Sequence, residues 1–282
     1  MSIVPGTLYV VATPIGNLQD ISLRALEVLR AVDFILAEDT RHSARLLGHF
    51  GINTAVGSFH DHSAPKLTEE IVRRLRGGAA IALITDAGTP LISDPGYPLV
   101  NAAQAADIRV IPIPGASALT SALSVSGLPT DKFVFEGFLP AQKTPRMRRL
   151  QELVQEGRTQ VFYEAPHRIC RLLEELIQCY GAQRTATLAK ELTKLHETIR
   201  KDTLDSLYRW LLEDVTRQKG EFVLIVAGDI ASAPEISELE RVLKVLLRTM
   251  SVRVAVGVAA EILKEPRNKL YKLAVRLGDG NN

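Results

Sequence analysis

Hydrophobic and polar positions alternate in blocks along the first third of the chain. Residues 7–12 (TLYVVA) are mostly apolar and short, which predicts a strand. After the loop TPIGNLQD, Leu23, Leu26 and Leu29 recur at three-residue intervals. That spacing predicts a helix from about Ser22, with Asp20 and Ser22 as alternative N-caps. DFILAE at 33–38 reads as a second strand. Leu67, Ile71, Val72 and Leu75 mark one face of a helix that stops at Gly77-Gly78. AAIALI at 79–84 is unbroken apolar sequence, as in a strand covered on both faces of a parallel sheet. A helix over 97–106 and a strand at 108–113 (IRVIPI) complete a doubly wound α/β domain, residues 1–115.

The pattern then loosens. Ala116–Ser126 reads as a connecting helix. Strands are expected at 133–138, 159–164, 185–191, 196–201 and 221–227, with helices near 146–156, 166–180 and 204–212. This is a second, mixed α/β domain, residues 116–232. ASAPEIS is a short polar linker with Ser237 as a helix cap, and helical periodicity alone runs from there to 277. Pro266 starts the last helix. The expected third part, 233–282, is a small helical domain.

In open parallel sheets, ligands bind at the C-terminal ends of the strands. Here those ends lead into TPIGN (13–17), EDTRH (38–42), TDAGTPLISDPG (85–96) and PGASA (114–118). Each alone reads equally as an ordinary βα turn. Together, four loops of Gly, Pro and small polar residues on one edge predict a ligand cleft, because small residues let a ligand approach the backbone. The first loop holds a single glycine, so no dinucleotide fingerprint is present, and no Walker loop occurs anywhere. A polyphosphate nucleotide is therefore disfavoured.

Composition narrows the class further. Of 282 residues, 46% are hydrophobic and 23% charged, as in an ordinary globular chain. Lys and Arg total 34 against 32 Asp and Glu, a net charge of +2, so any nucleic-acid binding must come from local patches. Two such patches exist. AQKTPRMRR carries Lys143, Arg146, Arg148 and Arg149 without an acid. Near the C-terminus Lys264, Arg267, Lys269, Lys272 and Arg276 stand against Glu265 alone, with Tyr271 available to stack on a base. Either patch alone also reads as a wet helix face. No apolar run reaches the 18 or so residues of a membrane helix, and MSIVPGTLYVV lacks the basic opening of a signal peptide. Cys170 and Cys179 have neither metal nor disulfide spacing. The expectation is a cytoplasmic protein without a metal.

LYVVATPIGNLQDIS, LAEDTRHS, ITDAGTPLISDPG, FYEAPHR, AKELTK, KGEFVLIV and PRNKLYKLAV together resemble the tetrapyrrole-methylase-like S-adenosylmethionine-dependent methyltransferases over about the whole chain. DAGTP stands where much of that family carries a GDP-type sequence, and this departure points to the branch that acts on RNA. The resemblance implies two α/β domains with S-adenosylmethionine in the cleft between them, and a homodimer. It implies methylation of a cytidine 2′-hydroxyl in small-subunit ribosomal RNA, free or within the assembled 30S subunit. It carries cofactor contacts onto Pro14, Asp86, Ala87, Gly88, Thr89, Ser117 and Ala118, with Tyr163, Glu164, Leu192 and Gly220 to Val223 from the second domain.

The acceptor's base stays open between Glu38, Asp39, His42, His60, Asp61, His62, Asp94 and Glu164, and loss of the proton to water is a further alternative. EDTRH is the preferred acceptor-side loop, with Arg41 suited to a phosphate. Its alternative is a polar turn with an acidic helix cap. Asp86 can bind the donor's ammonium or ribose, or cap its own turn. HDH at 60–62 reads as a surface loop, since two His at i, i+2 lack a third ligand. Two other functions are compatible with the fold: a methyltransferase acting on a tetrapyrrole or other small molecule, and a noncatalytic RNA-binding assembly protein.

Overall fold

The computed structural model describes residues 3–60, 65–229 and 236–279, apart from the side chains of 236–238, 278 and 279. Two compact units emerge. One joins Met1–Gln151 with Thr159–Ala227, and the other joins Glu152–Arg158 with Gly228–Asn282.

The first unit holds two five-stranded sheets. Strands β1 (Thr7–Val11), β2 (Phe34–Ala37), β3 (Val56–Ser58), β4 (Ile81–Ile84) and β5 (Arg109–Ile113) form a parallel sheet in the order β3-β2-β4-β1-β5. Helices α1 (Leu23–Ala31), α2 (Thr40–His49), α3 (Pro65–Arg76) and α4 (Tyr97–Ala105) connect them. Alternate residues of the strands feed two apolar clusters. Tyr9, Ile35, Ala82 and Ile113 pack with α1 residues Val28 and Leu29, while Leu8, Leu36 and Leu83 pack with Ile71 and Leu75 of α3 and Leu99 of α4. Of the two N-cap candidates, Ser22 is the one used: its hydroxyl accepts from the Ala25 amide. Asp20 ends a separate 3-10 turn.

After α5 (Ala118–Val125), strands β6 (Phe133–Phe138), β7 (Thr159–Glu164), β8 (Thr185–Lys190), β9 (Thr198–Thr203) and β10 (Phe222–Val226) form a mixed sheet in the order β6-β7-β10-β8-β9. Helices α6 (Lys143–Leu153), α7 (Ile169–Tyr180) and α8 (Leu204–Glu213) accompany it. In the antiparallel register Val223 lies opposite both Tyr163 and Ala189, so these three side chains share one sheet face. Ile15, from the first sheet's TPIGN loop, packs with this face.

The second unit buries Leu239, Leu243, Val256, Ala259, Leu270 and Ala274 between α9 (Ile236–Leu247), α10 (Val252–Leu263) and α11 (Arg267–Asp279). Ser237 falls inside α9, and its side chain lies outside the described residues.

One prediction needs correction. EDTRH is not a loop. Asp39 is the N-cap of α2, and Thr40, Arg41 and His42 form its first turn.

Candidate functional site

Because β1, β2, β4 and β5 run parallel, their C-terminal ends share one edge. Two of the loops there are stitched together. Thr13 and Gly88 exchange backbone hydrogen bonds of 2.9 and 3.1 Å, and the Thr13 hydroxyl donates to the Thr85 carbonyl at 3.0 Å. Thr89 Oγ1 donates to the Ala116 carbonyl at 3.1 Å, bringing in the loop after β5. Asp86 Oδ1 accepts from the Asp39 amide at 3.1 Å, bringing in the start of α2.

These loops and the Tyr163–Val223–Ala189 face enclose a cavity of about 320 Å³. Ile15, Ala87, Gly88, Thr89, Ile92, Ser93 and Asp94 line it from the first sheet's edge, and Ser117 and Ala118 from the start of α5. Phe138, Tyr163, Glu164, Ala165, Pro166, Leu192, Glu221 and Phe222 complete the wall. Gly88 adopts φ +88°, and a Cβ there would stand 3.2 Å from the Ile15 side chain that lines the cavity. Leu91 and Ser93 hold left-handed φ of 72° and 67°, at a cost of about 1 kcal/mol each. Such strain concentrates where a loop is shaped for a ligand.

The carboxylates are arranged unequally. Thr85, 2% exposed, places its hydroxyl 2.7 Å from both Glu38 Oε2 and Asp94 Oδ1. Asp94 lines the cavity and Glu38 stands behind it. Asp39 is engaged otherwise: the Arg41 guanidinium holds its carboxyl well below the usual carboxylate range. Glu164 is pushed up by burial, despite Arg168 Nε at 3.0 Å, and its Oε2 has no hydrogen-bond partner. Burial also pushes the Tyr163 phenol up to about 12; its ring makes edge contacts with Phe135 and Phe138 at 4.9 and 5.6 Å.

Of the residues expected to hold a cofactor, Ala87, Gly88, Thr89, Ser117, Ala118, Tyr163, Leu192 and Val223 meet in this cavity, as do Glu164, Glu221 and Phe222. Pro14, Asp86 and Gly220 do not: Pro14 is buried beside the wall, Asp86 faces the α2 cap and Gly220 lines a separate cavity. Ile92, Ser93, Phe138 and Ala189 were not foreseen. Phe138 follows the Gly137 irregularity in β6, and only strand pairing reveals that it lies over Tyr163. His42, His60, His167 and His196 are exposed, and Asp61 and His62 lie outside the described residues.

The basic patches separate by burial. Arg146 is corrected: only 2% of it is exposed, and its guanidinium bonds both oxygens of Glu175 (2.5 and 2.8 Å) and the carbonyls of Pro140 and Ala141. It is a structural ion pair and is not placed to meet an RNA phosphate. Arg149 pairs with Glu136 at 2.8 Å, while Lys143 and Arg148 are exposed. Arg41 has a side chain 90% exposed, although it pairs with Asp39. On the second unit Lys264, Arg267, Lys269, Lys272 and Arg276 are all exposed, and Lys269 pairs with Glu265 at 3.0 Å. No helix among the described residues is long and apolar enough to cross a membrane.

The model of the tetrapyrrole (corrin/porphyrin) methylases matches residues 7–208, and an RsmI C-terminal HTH domain model matches 233–278. A Pseudomonas aeruginosa protein named ribosomal RNA small subunit methyltransferase I is 51% identical, covering 96% of this chain and 97% of that one. The Escherichia coli O157:H7 protein of the same name is 48% identical over 96% and 95%. Among solved structures, a Thermus thermophilus uroporphyrin-III-C-methyltransferase matches with a TM-score of 0.53 at 19% identity, covering 79% of this chain and 94% of that chain. The cobalamin biosynthetic cobalt precorrin-4 methyltransferase matches at 0.54 and 15%, covering 79% and 95%. At those identities the likeness is one of fold.

Proposed function

The chain belongs to the tetrapyrrole (corrin/porphyrin) methylase family, and on that premise we propose that it is an S-adenosylmethionine-dependent methyltransferase of small-subunit ribosomal RNA. Its acceptor is the 2′-hydroxyl of a cytidine ribose, in free RNA or in the 30S subunit, and its working form is a cytoplasmic homodimer. The observation that carries the reading is the cavity, which gathers the family motifs DAGTP, PGASA and FYEAP into one wall.

The residues fit the donor. S-adenosylmethionine, when bound, supplies an electrophilic methyl group and carries a sulfonium and an ammonium. The lining offers an apolar surface with the carboxylates of Asp94, Glu164 and Glu221. Glu164 is paired with Arg168 and Glu221 with Lys194, so a mostly apolar wall with Asp94 beside it is what a cation held partly out of water would meet. Gly88 and Thr89, with Ser117 and Ala118, form the side where backbone groups can meet the donor's polar ends. Tyr163, Val223 and Leu192 form the apolar side.

Acceptor chemistry falls to Asp94. The single proton of the Thr85 hydroxyl satisfies only one of its two carboxylate neighbours at a time. A proton arriving on Asp94 completes the row: Asp94 donates to Thr85, and Thr85 donates to Glu38. Asp94 is thus the group we assign to take the ribose hydroxyl proton, with Thr85 and Glu38 as positioning residues. Arg41, Lys143, Arg148, Arg149, Arg267, Lys269 and Lys272 are the remaining RNA-side candidates.

Calorimetry with S-adenosylmethionine, followed by mapping of tritiated methyl groups on 30S subunits from cells lacking the protein, tests this reading. One methylated cytidine is expected. Absence of donor binding at millimolar concentration, or label found only in small molecules, overturns it.

A further inference from the structure

Residue 190 turns away from the methyl-donor cavity. Ala189 lines that cavity, and the next residue along β8 points to the opposite face of the sheet. There Lys190 lines a second cavity, of about 420 Å³, together with Glu191, Glu197, Trp210, Arg217 and Lys219. Lys190 is only 8% exposed, and its ammonium makes no hydrogen bond or ion pair among the described residues. Lys190 is a largely covered lysine whose ammonium keeps some access to solvent and has no bonded carboxylate, an arrangement that can take a bound anion.

Glu191 is near enough for Lys190 to help hold its carboxyl down, but none of the neighbouring acids bonds to Lys190. Glu191 Oε1 accepts from Lys194 Nζ and from the Glu221 amide, each at 2.9 Å. Glu197 Oε2 accepts from the Thr193 amide at 2.6 Å. Asp214, near enough for Lys190 to help hold its carboxyl down, accepts from the Thr216 amide and hydroxyl at 2.8 and 2.7 Å. Arg217 pairs with Glu213 at 2.7 Å and stacks over Trp210, 4.9 Å from the ring centre. Lys219 is exposed and, like Lys190, has no bonded partner among the described residues. The charges left over are therefore both cations.

The site is also built. Glu191 and Thr193 hold left-handed φ of 53° and 65°, and Gly220 takes φ +97° where a Cβ would collide with the Glu191 carboxylate. This fixed loop lines the donor cavity with Leu192 and the second pocket with Glu191 and Glu197.

We propose that the Lys190–Lys219 pocket binds a phosphate of the RNA acceptor strand, holding the strand across the Leu192 loop beside the donor cavity. This rests on the reading above that RNA is the acceptor. Lys190 and Lys219 supply charge-assisted hydrogen bonds, and Arg217 stacked on Trp210 bounds the pocket.

The test uses the full-length protein, Lys190→Met, Lys190→Arg and Lys219→Ala, with a small-subunit RNA fragment containing the methylated cytidine. Lys190→Met should keep donor affinity and raise KM for RNA about tenfold with kcat little changed, the loss of one charge-assisted contact. The slope of log affinity against log salt should fall by about 0.7 to 0.9. Lys190→Arg should recover most of both. Inorganic phosphate should raise the melting temperature of the unaltered protein and not that of Lys190→Met. Unchanged KM and salt slope in Lys190→Met overturn the pocket while leaving the methyltransferase reading intact. Should Lys190→Met lose donor binding through misfolding, exposed Lys219→Ala decides: a raised KM supports the pocket and an unchanged one overturns it. Phosphate stabilisation lost in Lys190→Met, with no RNA methylated by any form, overturns RNA as the source of the phosphate and the acceptor reading with it.

Discussion

The Thr85 hydroxyl lies 2.7 Å from Oδ1 of Asp94 and binds it from behind the cavity wall. A side chain that is buried and yet touches a lining carboxylate can affect the reaction without touching the donor. Asp94→Asn removes the proposed proton acceptor and should lower kcat by about 10² to 10⁴. Thr85→Val removes the hydroxyl, should lower kcat in the same direction by a smaller factor, and should cost about 1–3 kcal/mol of stability by leaving the carboxylates unbridged. Tritiated-methyl initial rates and urea midpoints measure the two effects. Full-rate transfer by Asp94→Asn would sink the assignment.

Arg146 looks in the sequence like part of an RNA patch and proves to be half of a buried pair. Breaking that pair by Arg146→Met should destabilise the protein by about 3–5 kcal/mol, at the lower end because Arg171 also reaches Glu175 at 3.2 Å. The neighbouring exposed Arg148→Gln should shift stability by less than about 0.5 kcal/mol. Denaturant midpoints distinguish them. A wild-type midpoint for Arg146→Met would mean that the ion pair does not hold α6 to α7.

Arg146 also shows what the sequence hid. Its partner Glu175 lies 29 residues away on another helix, and nothing in AQKTPRMRR points to it. Helix α2 was missed for a related reason: RHSARLLGH buries only Ser43 and Leu47, so its apolar stripe is too thin for periodicity to reveal. Strand β3 is three residues, one of them glycine. What was legible came from local pattern. The apolar strand runs and the small-residue loops after β1, β4 and β5 located one edge of the cavity, because a parallel sheet puts those loops together. The opposite wall depends on strand pairing. Ala189 reaches the site because β10 lies between β7 and β8, a long-range fact that spacing does not encode.

Tyr163 makes alkaline stability a probe of the cavity wall. An exposed tyrosine ionises near 10, and burial pushes this one to about 12. The folded state therefore keeps a proton that the unfolded state releases. Stability is intact below pH 10 and declines as pH rises toward about 12. Tyr163→Phe should lose less stability over that interval than the unaltered protein. Some decline should remain, since burial raises Tyr180 in the same direction. Melting temperatures across the interval check this, and parallel curves would show that the phenol is not buried.

The C-terminal helices bury their apolar stripe internally and leave their basic residues outside, so charge there can change without disturbing the core. Arg267 and Lys272 are exposed and, unlike Lys269, have no acidic partner among the described residues. If both contact RNA phosphates, Arg267→Gln/Lys272→Gln should lower the slope of log affinity against log salt by about 1.5 and weaken RNA binding. Donor affinity and melting temperature should stay within error, because neither residue touches the donor cavity. Lys269→Gln should change the slope less, since its ammonium already has Glu265 at 3.0 Å. Binding isotherms at several salt concentrations, with calorimetry of the donor alongside, separate these outcomes. An unaltered slope in the double variant would show that this face is merely solvated and would shift the RNA footprint to Lys143, Arg148 and the Lys190 pocket.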